Sequence, residues 1–328
     1  MKHISPFIQN LKYYAVLAGI RFIRVLPYPA ARSLFRFLGM LAYYADPFHR
    51  AIAATQMRAA LALDRPEGLV KEVFMYQAEL LVDTIKYAYL SDEEIRKKVI
   101  VEGKEFLDKA LESGKGLMMI TGHMGNWEVL SHVPRILGIQ FCIMADMRED
   151  EKIEAIVDSI RSRSGATILP PTGKALMLIK ELKKGRTIGI VVDKRGAKKD
   201  ALFCPFLGMP APTNPAPAFL ALKGDAVILP VYDVKLAGVH HFRFQKPVEA
   251  SSFGQGKEAI QALSEYMQSW AASVVEQYPD QWFWLYSRWL KRSELRTIIK
   301  KKLDFKQFVQ RKAQEKRRIS DDGRVSNS

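Results

Sequence analysis

Between Ile4 and Val25 the apolar residues fall at Ile4, Ile8, Leu11, Ala15, Ala18, Phe22 and Val25, the spacing of one helix face. The same threes and fours recur in "RPEGLVKEVFMYQAELLVDTIKYAYL", glycine is scarce there, and residues 1 to about 100 are predicted to be helical. From about 101 to 250 the rhythm changes. Short apolar runs, "GLMMI", "IQFCIM", "RTIGIVV" and "DAVILPVYDV", alternate with helical stretches such as "EKIEAIVDSIRSR" and "GKALMLIKELKKG". Such alternation predicts an α/β fold with a mostly parallel central sheet flanked by helices. "GVHHFRFQKPV" is expected to pair with "VILPVYDV" as a later strand. Residues 257–278 return to helix, and 293 to about 317 read as a basic helical or frayed tail.

The first helix is interrupted by Lys12, Arg21 and Arg24, so no uncharged apolar run of about 20 residues exists there. Two readings stand: a helix packed within the fold, or one lying on a bilayer with its basic side chains snorkelling to the surface. The expectation adopted is a helical N-terminal membrane-associated segment. "ALFCPFLGMPAPTNPAPAFLAL" is also long and uncharged, but its prolines forbid a regular spanning helix. The expected organisation is a membrane-associated segment at 1–45, an α/β domain at 46–290 and a basic tail at 291–328.

Charge adds a partner class. The chain of 328 residues carries 50 Lys+Arg against 35 Asp+Glu, a formal charge of +15. Much of that excess lies after residue 290, and no acidic residue precedes Asp46. A polyanionic partner follows, either nucleic acid or an anionic bilayer. Only Phe305 and Phe308 interleave with the tail's basic run, which argues against a base-stacking surface and hence against nucleic acid. The two cysteines, Cys142 in "QFCIM" and Cys204 in a loop-like "FCPFLG", lack metal-ligand spacing and fit buried or inert thiols in a reducing compartment.

The candidate chemistry sits in "TGHMGNWEVL", residues 121–130, where a buried strand gives way to a helix. Strand carboxyl ends are where ligands bind in doubly wound sheets. Gly122 and Gly125 allow a sharp turn, Asn126 suits the N-cap, and Glu128 falls in the first helical turn. If the loop folds His123 back over Glu128, the carboxylate fixes the tautomer and leaves the other ring nitrogen as a base for a hydroxyl. The same residues also suit a plain capping turn. The backbone amides of Gly125 and Asn126 are candidates to face a developing oxyanion.

"GHMGNWE" resembles the signature of the lipid A late acyltransferases, the lauroyl/myristoyl transferases of Gram-negative bacteria, within the glycerolipid acyltransferase superfamily marked by His-x4-Asp/Glu. "HRAIAATQMRAAL", "RSRSGATIL", "GRTIGIVVDKRG", "FCPFLGMPAPTNPAPAFLAL" and "YPDQWFWLYSRWLK" are similar to further family blocks in the same order, over about residues 45–291. Lys194, Tyr286, Ser287 and the Asn214–Pro215 surroundings depart from the usual pattern, which bears on acceptor and acyl-length specificity. The resemblance implies acyl transfer from an acyl carrier protein thioester to a hydroxyl of a Kdo-bearing, phosphorylated glucosamine disaccharide. This would occur at the cytoplasmic face of the inner membrane, with no cofactor and no metal. It implies His123 as base and Glu128 as its orienting partner. Arg163, with Arg161 second, is the expected cation for a phosphate or the oxyanion, and Asp193 is expected to position Arg163 or the acceptor. Arg148 is a weaker phosphate candidate. Trp282, Phe283, Trp284 and Trp289 either border an acyl groove or the bilayer, or pack in the core. His132, His240 and His241 are read as structural.

Overall fold

The computed structural model describes residues 6–144, 150–169, 175–196 and 201–325. Five helices come first: α1 (Pro6–Val25), α2 (Tyr28–Ala45), α3 (Pro47–Leu61), α4 (Glu67–Tyr87) and α5 (Asp92–Lys98). Their ends follow from local chemistry. Asp46 caps α3 by accepting from the His49 amide at 3.0 Å, and Pro47 sits in the first turn, where no intrahelical donor is needed. Ser91 and Glu94 close a capping box on α5, whose acids lie in the first turn and bases in the last.

Strands and helices then alternate: β1 (Val99–Glu102), α6 (Lys104–Glu112), β2 (Leu117–Thr121), the short α7 (Trp127–Leu130) and α8 (Val133–Ile136), β3 (Phe141–Met144), α9 (Glu151–Ser162), β4 (Thr167–Leu169), α10 (Ala175–Lys183) and β5 (Thr187–Val191). A hairpin of β6 (Leu202–Phe206) and β7 (Met209–Thr213) precedes α11 (Ala216–Gly224), β8 (Val227–Leu236), β9 (Val239–Phe244) and β10 (Val248–Glu249). The chain closes with α12 (Gly256–Gln277), α13 (Arg292–Lys301) and α14 (Phe305–Val325).

The main sheet has the order β1-β9-β8-β2-β5-β3-β4, with β10 added to β8. All neighbours are parallel except β8 with β9 and with β10, so the expected mostly parallel sheet and the late antiparallel pair are both present. Central β2 is buried on both faces. Met118 and Ile120 point into one core cluster, whereas Leu117 and Met119 point into the other, as alternation along a strand requires. Helices cover both faces, which explains why these strands read as continuous apolar runs.

Three expectations are refined. As the charges within the first segment imply, no helix among the described residues is long and apolar enough to cross a membrane. α1 instead buries Ile23 against Val82 and Ile85 of α4 and leaves Leu11, Tyr14, Phe22 and Val25 exposed. Second, "FCPFLG" is strand and turn rather than loop. Its proline is tolerated because β6 and β7 form a separate two-stranded ribbon, in which Pro205 faces Pro210 of β7. Cys204 is fully enclosed there, and Cys142 is buried in β3.

Third, the basic C-terminal segment is helical and well packed. Leu295, Ile298, Phe305 and Val309 join the larger core cluster, and the Phe305 ring meets Trp289 edge-on at 6.0 Å. Their basic neighbours lie outside, so one amphipathic pair satisfies both core and solvent. Phe305→Ala should therefore cost about 3–4 kcal/mol of stability, as buried aromatic truncations do. A urea-unfolding midpoint equal to wild type would show that α14 is not part of the cooperative core.

Candidate active site

β2 and β5 are parallel neighbours in register, with Thr121 opposite Val191, and the Val192 amide extends the ladder to the Thr121 carbonyl at 2.9 Å. His123 and Asp193 each lie two residues beyond those paired ends. The register therefore brings together two residues 70 apart in sequence. His123 Nδ1 lies 2.7 Å from Asp193 Oδ1, and the His123 amide donates to Asp193 Oδ2 at 2.7 Å. The Trp282 indole donates to the same oxygen at 2.7 Å. Burial alone would raise the Asp193 pKa; the His123 charge, with the His123 and Trp282 hydrogen bonds, outweighs it and holds the group at about 2. An ionised Asp193 assigns the proton to Nδ1 and leaves Nε2 with its lone pair.

This corrects the expected partner. Glu128 makes no hydrogen bond to His123. It is held in a two-point pair with Arg161, Nε to Oε2 at 2.8 Å and Nη2 to Oε1. Asp193, expected to position Arg163 or the acceptor, holds the imidazole instead. The strand register sets where both backbones lie, and in that arrangement His123 meets Asp193 while Arg161 engages Glu128.

The two backbone amides considered for an oxyanion are also committed elsewhere. Gly125 N–H donates to the Gln281 carbonyl at 3.0 Å, and Asn126 N–H donates to Asp233 Oδ2 at 2.7 Å. Asn126 is the N-cap as predicted, accepting from Val129 N–H at 3.1 Å, but it is buried behind the turn rather than in the cavity. Gly125 has φ +56°, and a Cβ there would lie 2.1 Å from the Asp233 carbonyl oxygen, so only glycine fits.

Asp233 and His240, missed as site residues by sequence reasoning, brace the turn from behind. His240 Nδ1 lies 2.8 Å from Asp233 Oδ2, and Nε2 is 3.3 Å from Asp83 Oδ2. Lys235 joins Asp83 and Glu79 nearby, and Arg32 and Arg36 of α2 complete the network on Glu79. The only sequence hint was charge inside "PVYDVKL" and "VHHF", strands otherwise buried. His241 pairs with Glu102, and His132 is buried and held neutral, lowered to about 4 by desolvation.

A cavity of about 430 Å³ opens at His123. Glu128, Arg161, Lys194, Asn214 and Phe283 share its lining with His123, and Leu130, Val133, Phe141, Ile143, Val231 and Phe244 make its walls apolar. Trp282, Trp284 and Trp289 are core residues, so of the aromatic block Phe283 alone lines this cavity. Arg163 stands off the cavity, over the Tyr89 ring. Arg148 lies outside the described residues.

An imidazole held by a buried carboxylate at the mouth of an apolar cavity suits transfer of an apolar acyl group. The sequence profile for bacterial lipid A biosynthesis acyltransferases matches residues 1–291. The chain belongs to that family. It is similar to the lipid A biosynthesis palmitoleoyltransferase of Escherichia coli K12, at 24% identity over 274 residues, covering 81% of this chain and 87% of the relative. It is equally similar to the phosphatidylinositol mannoside acyltransferase of Mycolicibacterium smegmatis, at 23% over 290 residues, 83% and 90% of the two chains. The corresponding enzyme of Mycobacterium tuberculosis H37Rv is 25% identical over 306 residues, 87% and 92%. Acyl transfer to a lipid acceptor is the common ground.

The bracing pair makes stability depend on pH. Burial by itself would lower the His240 pKa, but Asp233 and Asp83 outweigh it and raise it to about 9. The folded value lies above the unfolded one, so the contribution is complete below about pH 6.5 and is lost as pH rises through about 9. It amounts to about 3 kcal/mol. Unfolding free energies should fall across that window in wild type and vary much less in His240→Gln; parallel curves would remove His240 as the source.

Proposed function

We propose that this acyltransferase moves a fatty acyl chain from an acyl carrier protein thioester to a hydroxyl of a phosphorylated, Kdo-bearing lipid A precursor. The observation that carries the reading is the Asp193–His123 pair at the mouth of the apolar cavity. His123 Nε2 takes the proton of the acceptor hydroxyl, and the oxygen attacks the thioester carbonyl. The tetrahedral intermediate collapses, the carbon–sulfur bond breaks, and the imidazolium returns the proton to the departing thiolate. Asp193 stabilises that imidazolium between the two transfers. No covalent acyl-enzyme is needed.

The oxyanion needs donors other than the turn amides. Lys194 and Asn214 share the cavity lining with His123. Asn214 uses Oδ1 to accept from the Ala216 amide at 3.1 Å, and its amide nitrogen meets no acceptor among the described residues. The Glu128–Arg161 pair shapes the same rim, keeping Arg161 in the wall without placing a second carboxylate on the base. α1, with Phe22 and Val25 exposed beside its arginines, lies on the cytoplasmic face of the inner membrane and brings the cavity to the lipid. The mannoside-acylating relatives favour a second acceptor class, a phosphatidylinositol glycoside, on the same chemistry.

Purified protein incubated with acyl carrier protein bearing a radiolabelled acyl chain and with each acceptor tests the assignment. Labelled lipid A precursor supports it, and label on the mannoside alone selects the second reading. His123→Ala should lower kcat about a hundred- to ten-thousandfold. Asp193→Asn should cost about 10³–10⁴-fold by releasing the wrong tautomer, whereas Glu128→Gln should leave the base intact and act mainly on KM. Near-normal turnover in His123→Ala would remove the mechanism.

Gly189 lines the cavity on β5, and a Cβ there would lie 3.2 Å from Phe141 and 3.4 Å from Ile143. Gly189→Leu should shift preference to shorter donors, with about fourfold lower affinity for each methylene excluded, since each is worth ~0.8 kcal/mol. An unchanged chain-length profile across a donor series would place the acyl chain elsewhere.

A further inference from the structure

Arg24 near the end of α1 and Arg163 at the C-cap of α9 lie over one ring, that of Tyr89 just beyond α4. Their Cζ atoms are 3.6 and 4.1 Å from the ring centroid. Both side chains are exposed, and three elements distant in sequence converge there. A guanidinium stacked on a ring engages its face and leaves its N–H donors directed outward in its own plane. Among the described residues, neither Arg24 nor Arg163 donates from its side chain to a carboxylate or to any other acceptor.

Arg32, Arg36, Arg135, Arg161 and Arg243, by contrast, pair with carboxylates. Arg292 and Arg296 also share a ring, that of Phe48, but at the longer distances of 4.9 and 4.7 Å and with Arg292 bonded to His49. The Arg24 and Arg163 guanidiniums are also anchored through their backbones. The Arg24 carbonyl accepts from Lys86 Nζ at 3.0 Å, and the Arg163 carbonyl accepts from Arg135. Lys86 also reaches the Leu26 carbonyl and pairs with no carboxylate among the described residues, so it adds a third uncompensated positive charge. Like charges gathered on one ring repel, and a dianion at the ring's edge, where the in-plane donors of both guanidiniums emerge, relieves that repulsion while filling those donors.

The surroundings select the kind of anion. Phe22 and Val25 are exposed on the same last turn of α1 as Arg24, so this helix end presents hydrocarbon as well as charge. Arg163 is two residues from Arg161, which lines the acyl cavity. We propose that Arg24, Arg163 and Tyr89 form a clamp for the phosphate monoester of a lipid, set beside the cavity so that one molecule reaches both. The kinetic consequence rests on the acyl-transfer reading above; the binding does not.

Binding is measured on full-length His123→Ala protein with phosphatidylcholine vesicles carrying phosphatidic acid, against matched vesicles carrying oleate at equal charge. The clamp predicts preference for phosphatidic acid, and Arg24→Gln/Arg163→Gln should weaken that binding about tenfold or more. Lys223→Gln/Lys257→Gln, the same charge loss on exposed residues of α11 and α12, should change it less than about twofold. Arg24→Lys/Arg163→Lys should fall between, because charge remains and the planar fork is lost. Inorganic phosphate that displaces the vesicles identifies the free anion as sufficient. Loss in the Gln pair without such displacement identifies the lipid headgroup. Equal binding by wild type and the Arg24/Arg163 Gln pair, or an equal loss in the lysine control, overturns the clamp. In the active protein the Gln pair should raise KM for a phosphorylated acceptor about tenfold with kcat within twofold. A wild type that binds the vesicles selectively yet transfers no acyl group would sink the acyl-transfer reading and leave the clamp standing.

Discussion

Asp193 is an ionised carboxylate sealed from water, and much of the site depends on how that charge is satisfied. Burial of an isolated carboxylate costs several kcal/mol, so its hydrogen bonds are a condition of the fold as well as of the chemistry. The donors come from the turn after β2, which gives an amide and a ring N–H, and from the aromatic block, which gives the Trp282 indole. Trp282 packs in turn against Phe206, Trp284 and Trp289, and Trp289 meets Phe305 of α14. A basic C-terminal helix thus packs on the ring cluster whose innermost member, Trp282, donates to that carboxylate.

A second buried carboxylate, Asp233, holds the other side of the same turn. β2 lies between β5 and β8, so the turn that follows it is flanked by Asp193 from one neighbour and Asp233 from the other. At Gly125 the approach excludes a side chain, since a Cβ would overlap the Asp233 backbone; at Gly122 a Cβ would stand 3.0 Å from Asp193 Oδ2, a tight contact. The two glycines of "GHMGN" thus face the two aspartates that flank the loop. His240 supplies a counter-charge to Asp233, and the Lys235–Glu79 network carries the brace out to α2. Docking of the N-terminal helices and the geometry of the turn share these ion pairs.

The sheet was legible because strands covered on both faces must read as unbroken apolar runs, and "GLMMI", "RTIGIVV" and "DAVILPVYDV" do. His123 was legible from its place at a strand end. Its partner was not, because a local offset of five residues draws attention to Glu128, while Asp193 is near only through strand register. One signal was available: "GLMMIT" and "TIGIV" end two residues before His123 and before Asp193. Parallel neighbours of matched length would have aligned them, but sequence does not state which strands are neighbours. The β6–β7 hairpin was hidden by its prolines, which ordinarily speak against strand. Arg288 was hidden by its charge. It is fully buried and donates to Pro212 O, Thr213 Oγ1 and Gln268, with desolvation lowering its pKa to about 10.

The separation of the two carboxylates at the cavity has a chemical consequence. A base flanked by Asp193 on Nδ1 and by Glu128 near Nε2 would hold its proton against two negative charges and release it poorly to a thiolate. Pairing Glu128 with Arg161 removes that second charge from the reacting nitrogen while keeping a polar rim above the apolar walls. In the proposed transfer the imidazolium exists only between proton uptake and return. One buried carboxylate is enough to favour it at that moment, and a neutral pair beside it does not trap it. Local placement of Glu128 on the first turn of α7, and of Arg161 on the last turn of α9, lets the helices make that pair independently of the sheet register. Two frameworks, strand ends for the base and helix ends for the rim, therefore meet at one mouth without competing for the same nitrogen.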